Sequence, residues 1–103
     1  MTIKQYKVLI RQEVFDEIVD LYSYIAQTNP NSADAVRKEL INSICSLEEF
    51  PERYPFFKGT LIPNGKFRKI VVKMRYLIFY QVMGNEVHIH NVVDGKRDYE
   101  WLL

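Results

Sequence analysis

The spacing of apolar residues along this chain changes period twice. In "IKQYKVLIR", Tyr6, Val8 and Ile10 alternate with Lys7 and Leu9, a period of two that sets successive side chains on opposite sides of a strand. Such a short first segment is expected to add to a sheet formed later in the chain. "EVFDEIVDLYSYIAQTNP" then repeats at three and four residues. Val14, Ile18, Leu21 and Ile25 form one stripe, flanked by Phe15, Val19, Tyr22 and Ala26. Glu13, Asp16 and Glu17 occupy the first turn, where the positive end of a helix dipole favours acids. The helix is expected to stop before Pro30, because the residue ahead of a proline avoids the helical region. In "NSADAVRKELINSICSLEEFP" a second stripe runs through Val36, Leu40, Ile44 and Leu47, with Asn31 or Ser32 able to cap it and Pro51 ending it. Two helices joined by so short a link predict an antiparallel helical hairpin.

The period returns to two after the loop "ERYPFFKGTLIPNGK". "FRKIVVK", "YLIFYQVM" and "EVHIHNVV" predict three consecutive strands, with Gly84-Asn85 as a two-residue hairpin turn of the type that places Gly first. "YLIFYQV" is apolar at nearly every position and belongs in the interior of the sheet, with "FRKIVVK" beside it. The expected fold is α+β: an N-terminal strand, an antiparallel helical hairpin, then a three-stranded antiparallel meander. The strands form one small sheet with the helices on one face. Residues 1–103 give room for one domain, and 48% hydrophobic residues supply its core. Ile70, Val72, Leu77, Phe79, Val87 and Ile89 are candidates for the face against the helices, which leaves the other face free for function.

A net charge of +1 points neither to a nucleic-acid binder nor to an acidic tail, but it hides an asymmetry. Residues 1–57 hold six Lys and Arg against nine Asp and Glu, while residues 58–103 hold eight against four. From Lys58 to Arg75 there are six cations and no acid, a local field that the total conceals. A lone Cys45 cannot form an internal disulfide, no leader-like apolar stretch opens the chain, and no apolar run approaches the ~18 residues that span a bilayer. A cytoplasmic protein without membrane contact is expected.

The chemistry-bearing residues fall into four groups. His88 and His90 point the same way on a strand, but a zinc site needs a third ligand that neither Cys nor His supplies, so no metal or cofactor is expected. Cys45 lies beside the second apolar stripe, with no cation close in sequence to lower its pKa, and reads as helix packing. Phe50, Tyr54, Phe56 and Phe57 crowd one loop, either as a lid on the fold or as a patch for a partner. On the basic strand, strict alternation sets Arg68, Ile70 and Val72 on one face and Phe67, Lys69, Val71 and Lys73 on the other. The second set is a cationic row suited to phosphate or to an acidic protein surface. Lys96 and Arg97, beyond the Asp94-Gly95 turn, join that row if the tail folds back, and Tyr99 and Trp101 give it reason to do so.

The strings "IVDLYSYIAQTNPNSA", "SLEEFPERYP", "RYLIFYQVMGNEVHIHNVV" and "DGKRDYEWLL" span nearly the whole chain. Taken together they resemble the RelE/ParE superfamily, the toxins of bacterial type II toxin-antitoxin modules. The resemblance implies a growth-arresting toxin neutralised by a cognate antitoxin. ParE-like members inhibit DNA gyrase, whereas RelE-like members cut messenger RNA on the ribosome without a metal. Carried over residue by residue, the RelE pattern matches Arg97 in "GKRD". It finds Arg75 two positions from the expected arginine and Tyr99 as a displaced tail tyrosine. Arg97, Arg75, Lys73 and Tyr99 are therefore the catalytic set if the chain is a nuclease. "LIFYQV" and "GKRDYEWLL" look more like ParE-type members, and the ParE-like reading is the one favoured. Arg97, Lys96, Lys69, Lys73 and Arg68 are then expected to meet the target, and Phe56, Phe57 and Trp101 a partner. A third class is an inactive member that only binds its partner. Asp94 departs from the pattern, since many relatives carry His before the glycine.

Overall fold

The computed structural model describes residues 4–97, 99 and 103. Strand β1 (Lys7–Ile10) leads into helix α1 (Gln12–Ala26) and helix α2 (Pro30–Cys45). Two 3₁₀ turns, Ser46–Glu48 and Pro51–Arg53, precede β2 (Arg68–Val72), β3 (Tyr76–Met83) and β4 (Glu86–Asp94). The sheet order is β1-β4-β3-β2, antiparallel through the meander, with β1 added parallel to β4. Gly84 has φ +63, as a turn with Gly first requires.

The cap of α2 differs from the expected Asn31 or Ser32. Asn29 caps it, its side-chain oxygen accepting the Ser32 N–H at 3.1 Å, and Pro30 is the first helical residue. Proline suits that place because its missing N–H would have no partner there. Cys45, expected to pack, is exposed.

Strand register decides which residues meet the helices. Ile70 lies opposite Ile78 and Val72 opposite Tyr76, and residues directly opposite one another share a face. Tyr76, Ile78 and Tyr80 therefore join Ile70, Val72, Val87 and Ile89 against Val14, Ile18, Val36, Leu40 and Ile44. Leu77 and Phe79, expected on this side, point to the opposite face. That face is not free: Phe57, Phe67, Leu77, Phe79 and Val93 form a second apolar cluster, with Ile62, Tyr99 and Leu103 packed on it. Tyr80 ties the first core to the loop after α2. Its hydroxyl donates to the Pro51 carbonyl at 2.6 Å, and burial pushes its pKa up to about 12.

Candidate functional site

The meander brings two turns together at one end of the sheet. In the β2–β3 turn the Arg75 N–H donates to the Val72 carbonyl at 3.1 Å, and both central residues, Lys73 (φ 51) and Met74 (φ 59), lie in the left-handed region. Such a turn matches the twist of its flanking strands, but asparagine and glycine ordinarily fill it. The second turn follows β4. Gly95 donates its N–H to the Arg75 carbonyl at 2.7 Å, and a Cβ at Gly95 would stand 2.5 Å from that oxygen, so a larger residue would force the turns apart.

A two-pronged ion pair locks this junction. Arg75 donates from Nε to Asp94 Oδ1 at 3.1 Å and from Nη2 to Oδ2 at 2.8 Å. The Lys96 N–H donates to the same Oδ1 at 3.0 Å. The Asp94 side chain is only 3% exposed, and the bonds from Arg75 hold its carboxyl below the usual range in spite of burial, which acts the other way. The same bonds raise the Arg75 guanidinium above its ordinary value. Arg97 completes the junction: its N–H donates to the Asp94 carbonyl at 3.1 Å, and its guanidinium lies over the Tyr24 ring of α1, 5.3 Å from the centroid.

The residues expected from sequence are distributed differently from the proposed row. Lys73 leaves the strand because the left-handed turn begins there, and its Nζ approaches Glu39 of α2 at 3.9 Å instead of continuing the line of Lys69. Lys69 stays on the face away from the helices, 5.6 Å over the Phe57 ring. Arg68 turns inward to the loop, donating from Nη1 to the carbonyls of Glu52 at 3.0 Å and Tyr54 at 2.7 Å, with its guanidinium stacked over Phe56. It staples a loop and offers little to a ligand. Phe57, expected to meet a partner, is buried as the lid, edge-on to Phe79 at 5.0 Å, while Phe56, expected with it, is exposed. Tyr99 folds back over the same cluster, 5.5 Å from Phe79 and 6.1 Å from Phe57, while Trp101 lies outside the described residues. Lys73, Arg75, Lys96 and Arg97 thus gather at the two-turn junction, and Lys69, Arg68 and Tyr99 do not join them.

The two histidines lie away from this junction. His88 pairs with Glu86 at 3.1 Å near the β3–β4 hairpin, six residues along β4 from Asp94, or ~20 Å at strand rise. His90 stacks on Phe67 at 4.6 Å, and burial lowers its pKa, with Arg11 and Lys66 acting in the same direction. Among the described residues, no group of three His, Cys, Asp or Glu is placed to hold a metal ion. No helix of the described residues is long and apolar enough to cross a membrane.

Glu17 is a carboxylate that sequence reasoning placed only at a helix start. β4 carries a bulge opposite Phe79 and Tyr80, where pairing shifts from Asn91 to Ile89. Glu17 reaches into it, Oε1 accepting the Val92 N–H at 3.0 Å and Oε2 accepting Asn91 Nδ2 at 2.7 Å. Burial raises its pKa above the ordinary 4.5 and outweighs those bonds. Glu17→Ala is expected to cost about 1–3 kcal/mol by leaving both donors unpaired, whereas Glu17→Gln keeps an acceptor without a buried charge. The folded state holds this proton more tightly than the unfolded chain. The group's contribution to stability is therefore full below the unfolded value and lost as pH rises through the folded pKa. Thermal melts across that window should show the dependence in the wild type and lose it in Glu17→Gln.

Comparison with known proteins agrees with the fold. A family model described as the ParE toxin of type II toxin-antitoxin system, parDE, matches residues 8–99. Among solved structures, the chromosomal ParDE toxin-antitoxin system of P. aeruginosa aligns with a TM-score of 0.73 at 11% identity, covering 88% of this chain and 97% of that one. A doubly substituted mutant of the E. coli toxin RelE, in the free state, aligns with a TM-score of 0.62 at 18% identity, covering 95% and 90%. Likeness at these identities speaks for the fold. Against curated proteins no sequence gives a significant match.

Proposed function

From the premise that the chain belongs to the ParE toxin family of type II toxin-antitoxin systems, we propose that it arrests growth by binding and inhibiting DNA gyrase, with a cognate antitoxin as its neutralising partner. The observation that carries the choice of a binding inhibitor over a nuclease is the state of Arg75. Its Nε and Nη2 both donate to Asp94, so one edge of the guanidinium is taken up within the fold. Metal-free cleavage by a ribose hydroxyl requires a proton acceptor, a group to stabilise the phosphorane and a proton donor, all within reach of one phosphate. Here the cations cluster at the two-turn junction, His88 lies far along β4, and Tyr99 is packed among aromatic rings. A rigid cationic end suits recognition better than proton transfer.

The antitoxin has a fitting surface of its own. Phe15, Val19 (60% exposed) and Ile41 leave an apolar strip along the helical hairpin, next to a hollow lined by Ile18, Val19, Tyr22 and Arg37. An amphipathic segment lying there would bury this strip, and its acids would pair with the basic second half of the chain. Induced expression tests the toxin reading. Growth should stop and should resume when the product of the adjacent gene is co-expressed. Unimpeded growth would instead favour a family member that only binds its partner.

A further inference from the structure

We propose that the apex of the β2–β3 turn is where this toxin docks on its target, with Met74 seated in an apolar pocket of a protein surface whose rim carries carboxylates. The proposal rests on the toxin reading above and assigns it to a particular element.

Three observations meet at this apex. Met74 is 96% exposed, so its side chain contributes nothing to either apolar cluster. It also sits, after Lys73, in the second of two successive left-handed positions, where glycine would relieve the backbone. The fold therefore gains nothing from methionine here, and strain of this kind is kept at sites that use it. The third observation is rigidity: Arg75 fixes the base of the turn to Asp94, and Gly95 hydrogen-bonds to the Arg75 carbonyl, so the apex is presented without the ordering cost of a loose loop. Methionine is suited to such a place, since its flexible, polarisable thioether adapts to an irregular apolar pocket.

Charge decides the class of partner. With Arg75 paired to Asp94, Lys73 flanks Met74 in its turn, Lys96 and Arg97 lie in the turn that Gly95 bonds to the base of that apex, and Lys73 makes a long, half-exposed contact to Glu39. Three cations are few for a nucleic-acid backbone, where affinity grows with the number of phosphates neutralised. An apolar tip at the apex also stands where a phosphate would need a donor. An apolar anchor ringed by cations is instead the complement of a protein pocket ringed by acids.

The test compares the full-length wild type with Met74→Gly and Met74→Leu under graded induction, alongside thermal melts of each purified protein. Met74→Gly should melt at or above the wild-type temperature. It should nevertheless need about ten times more protein to arrest growth, the loss expected when one buried methionine anchor is removed. Met74→Leu keeps an apolar tip and should arrest growth nearly as the wild type does. A folded Met74→Gly that arrests growth at wild-type induction overturns the proposal and leaves the toxin reading standing. A wild type that never arrests growth overturns the toxin reading and this proposal with it. If the wild type binds duplex DNA or single-stranded RNA in a gel shift and Met74→Gly does not, the apex serves nucleic acid and the protein-pocket assignment is overturned.

Discussion

Arg75→Ala should lower stability by roughly 2–3 kcal/mol, and the loss should be far smaller when Asp94→Asn is made with it. Removing the guanidinium leaves the Asp94 carboxylate, 3% exposed, without its main partner. A wholly buried pair would cost more, but the Arg75 side chain is 35% exposed and water can partly replace it. Urea titrations of the single and double variants read the coupling directly. A pH dependence accompanies it. The folded carboxyl of Asp94 is depressed, so its contribution is present above the unfolded pKa and disappears as pH falls through the folded one. The wild type should therefore lose stability in that acid window, and Asp94→Asn should lose less. If Arg75→Ala melts like the wild type yet is not toxic, Arg75 acts on the target and not as a latch.

Arg97→Ala should give the opposite pattern, an intact fold without growth arrest. The residue is exposed, and its guanidinium lies over the ring of Tyr24 on α1. An exposed cation–π contact contributes only about 0.5–1 kcal/mol, so the melting temperature should barely move. The Asp94 carbonyl nevertheless fixes the Arg97 backbone N–H in the turn that Gly95 bonds to the base of the Met74 apex, and the guanidinium lies over the Tyr24 ring. Full toxicity in a folded Arg97→Ala protein would remove this residue from the target surface.

These two arginines mark the boundary of what the sequence discloses. The helical hairpin and the meander are legible because their signals are local: apolar residues at three and four, then at two, with prolines and Gly84 at the joins. Pro30 was legible as a stop but not as a start, since the same ring that ends one helix is at home in the first turn of the next. The face assignment of β3 was hidden for a different reason. "YLIFYQV" is apolar on both sides, so only its register with β2 decides whether Tyr76 or Leu77 meets the helices. The second cluster follows from that register, and it needs Phe57 and Tyr99 from distant parts of the chain.

The candidate site was legible as residue types and not as roles. Lys73 reads as a strand residue because nothing in "VVKMRY" resembles an Asn-Gly turn, and the left-handed pair at Lys73 and Met74 departs from local preference. Arg68, Arg75 and Arg97 are alike in sequence, three arginines in a basic half. One staples a loop through carbonyls, one is spent on Asp94, and one is exposed on a ring. Only long-range contacts separate them. Asp94, which looked like a departure from the family pattern, acquires a reason in the structure as the partner of Arg75.

Inhibition of gyrase by binding can be separated from messenger cleavage by adding the purified protein to two reactions in parallel, gyrase supercoiling of relaxed plasmid and ribosomes carrying a defined messenger. Supercoiling should stop and the messenger should stay whole. Cuts at codon positions in the messenger, with supercoiling unaffected, would contradict inhibition of gyrase.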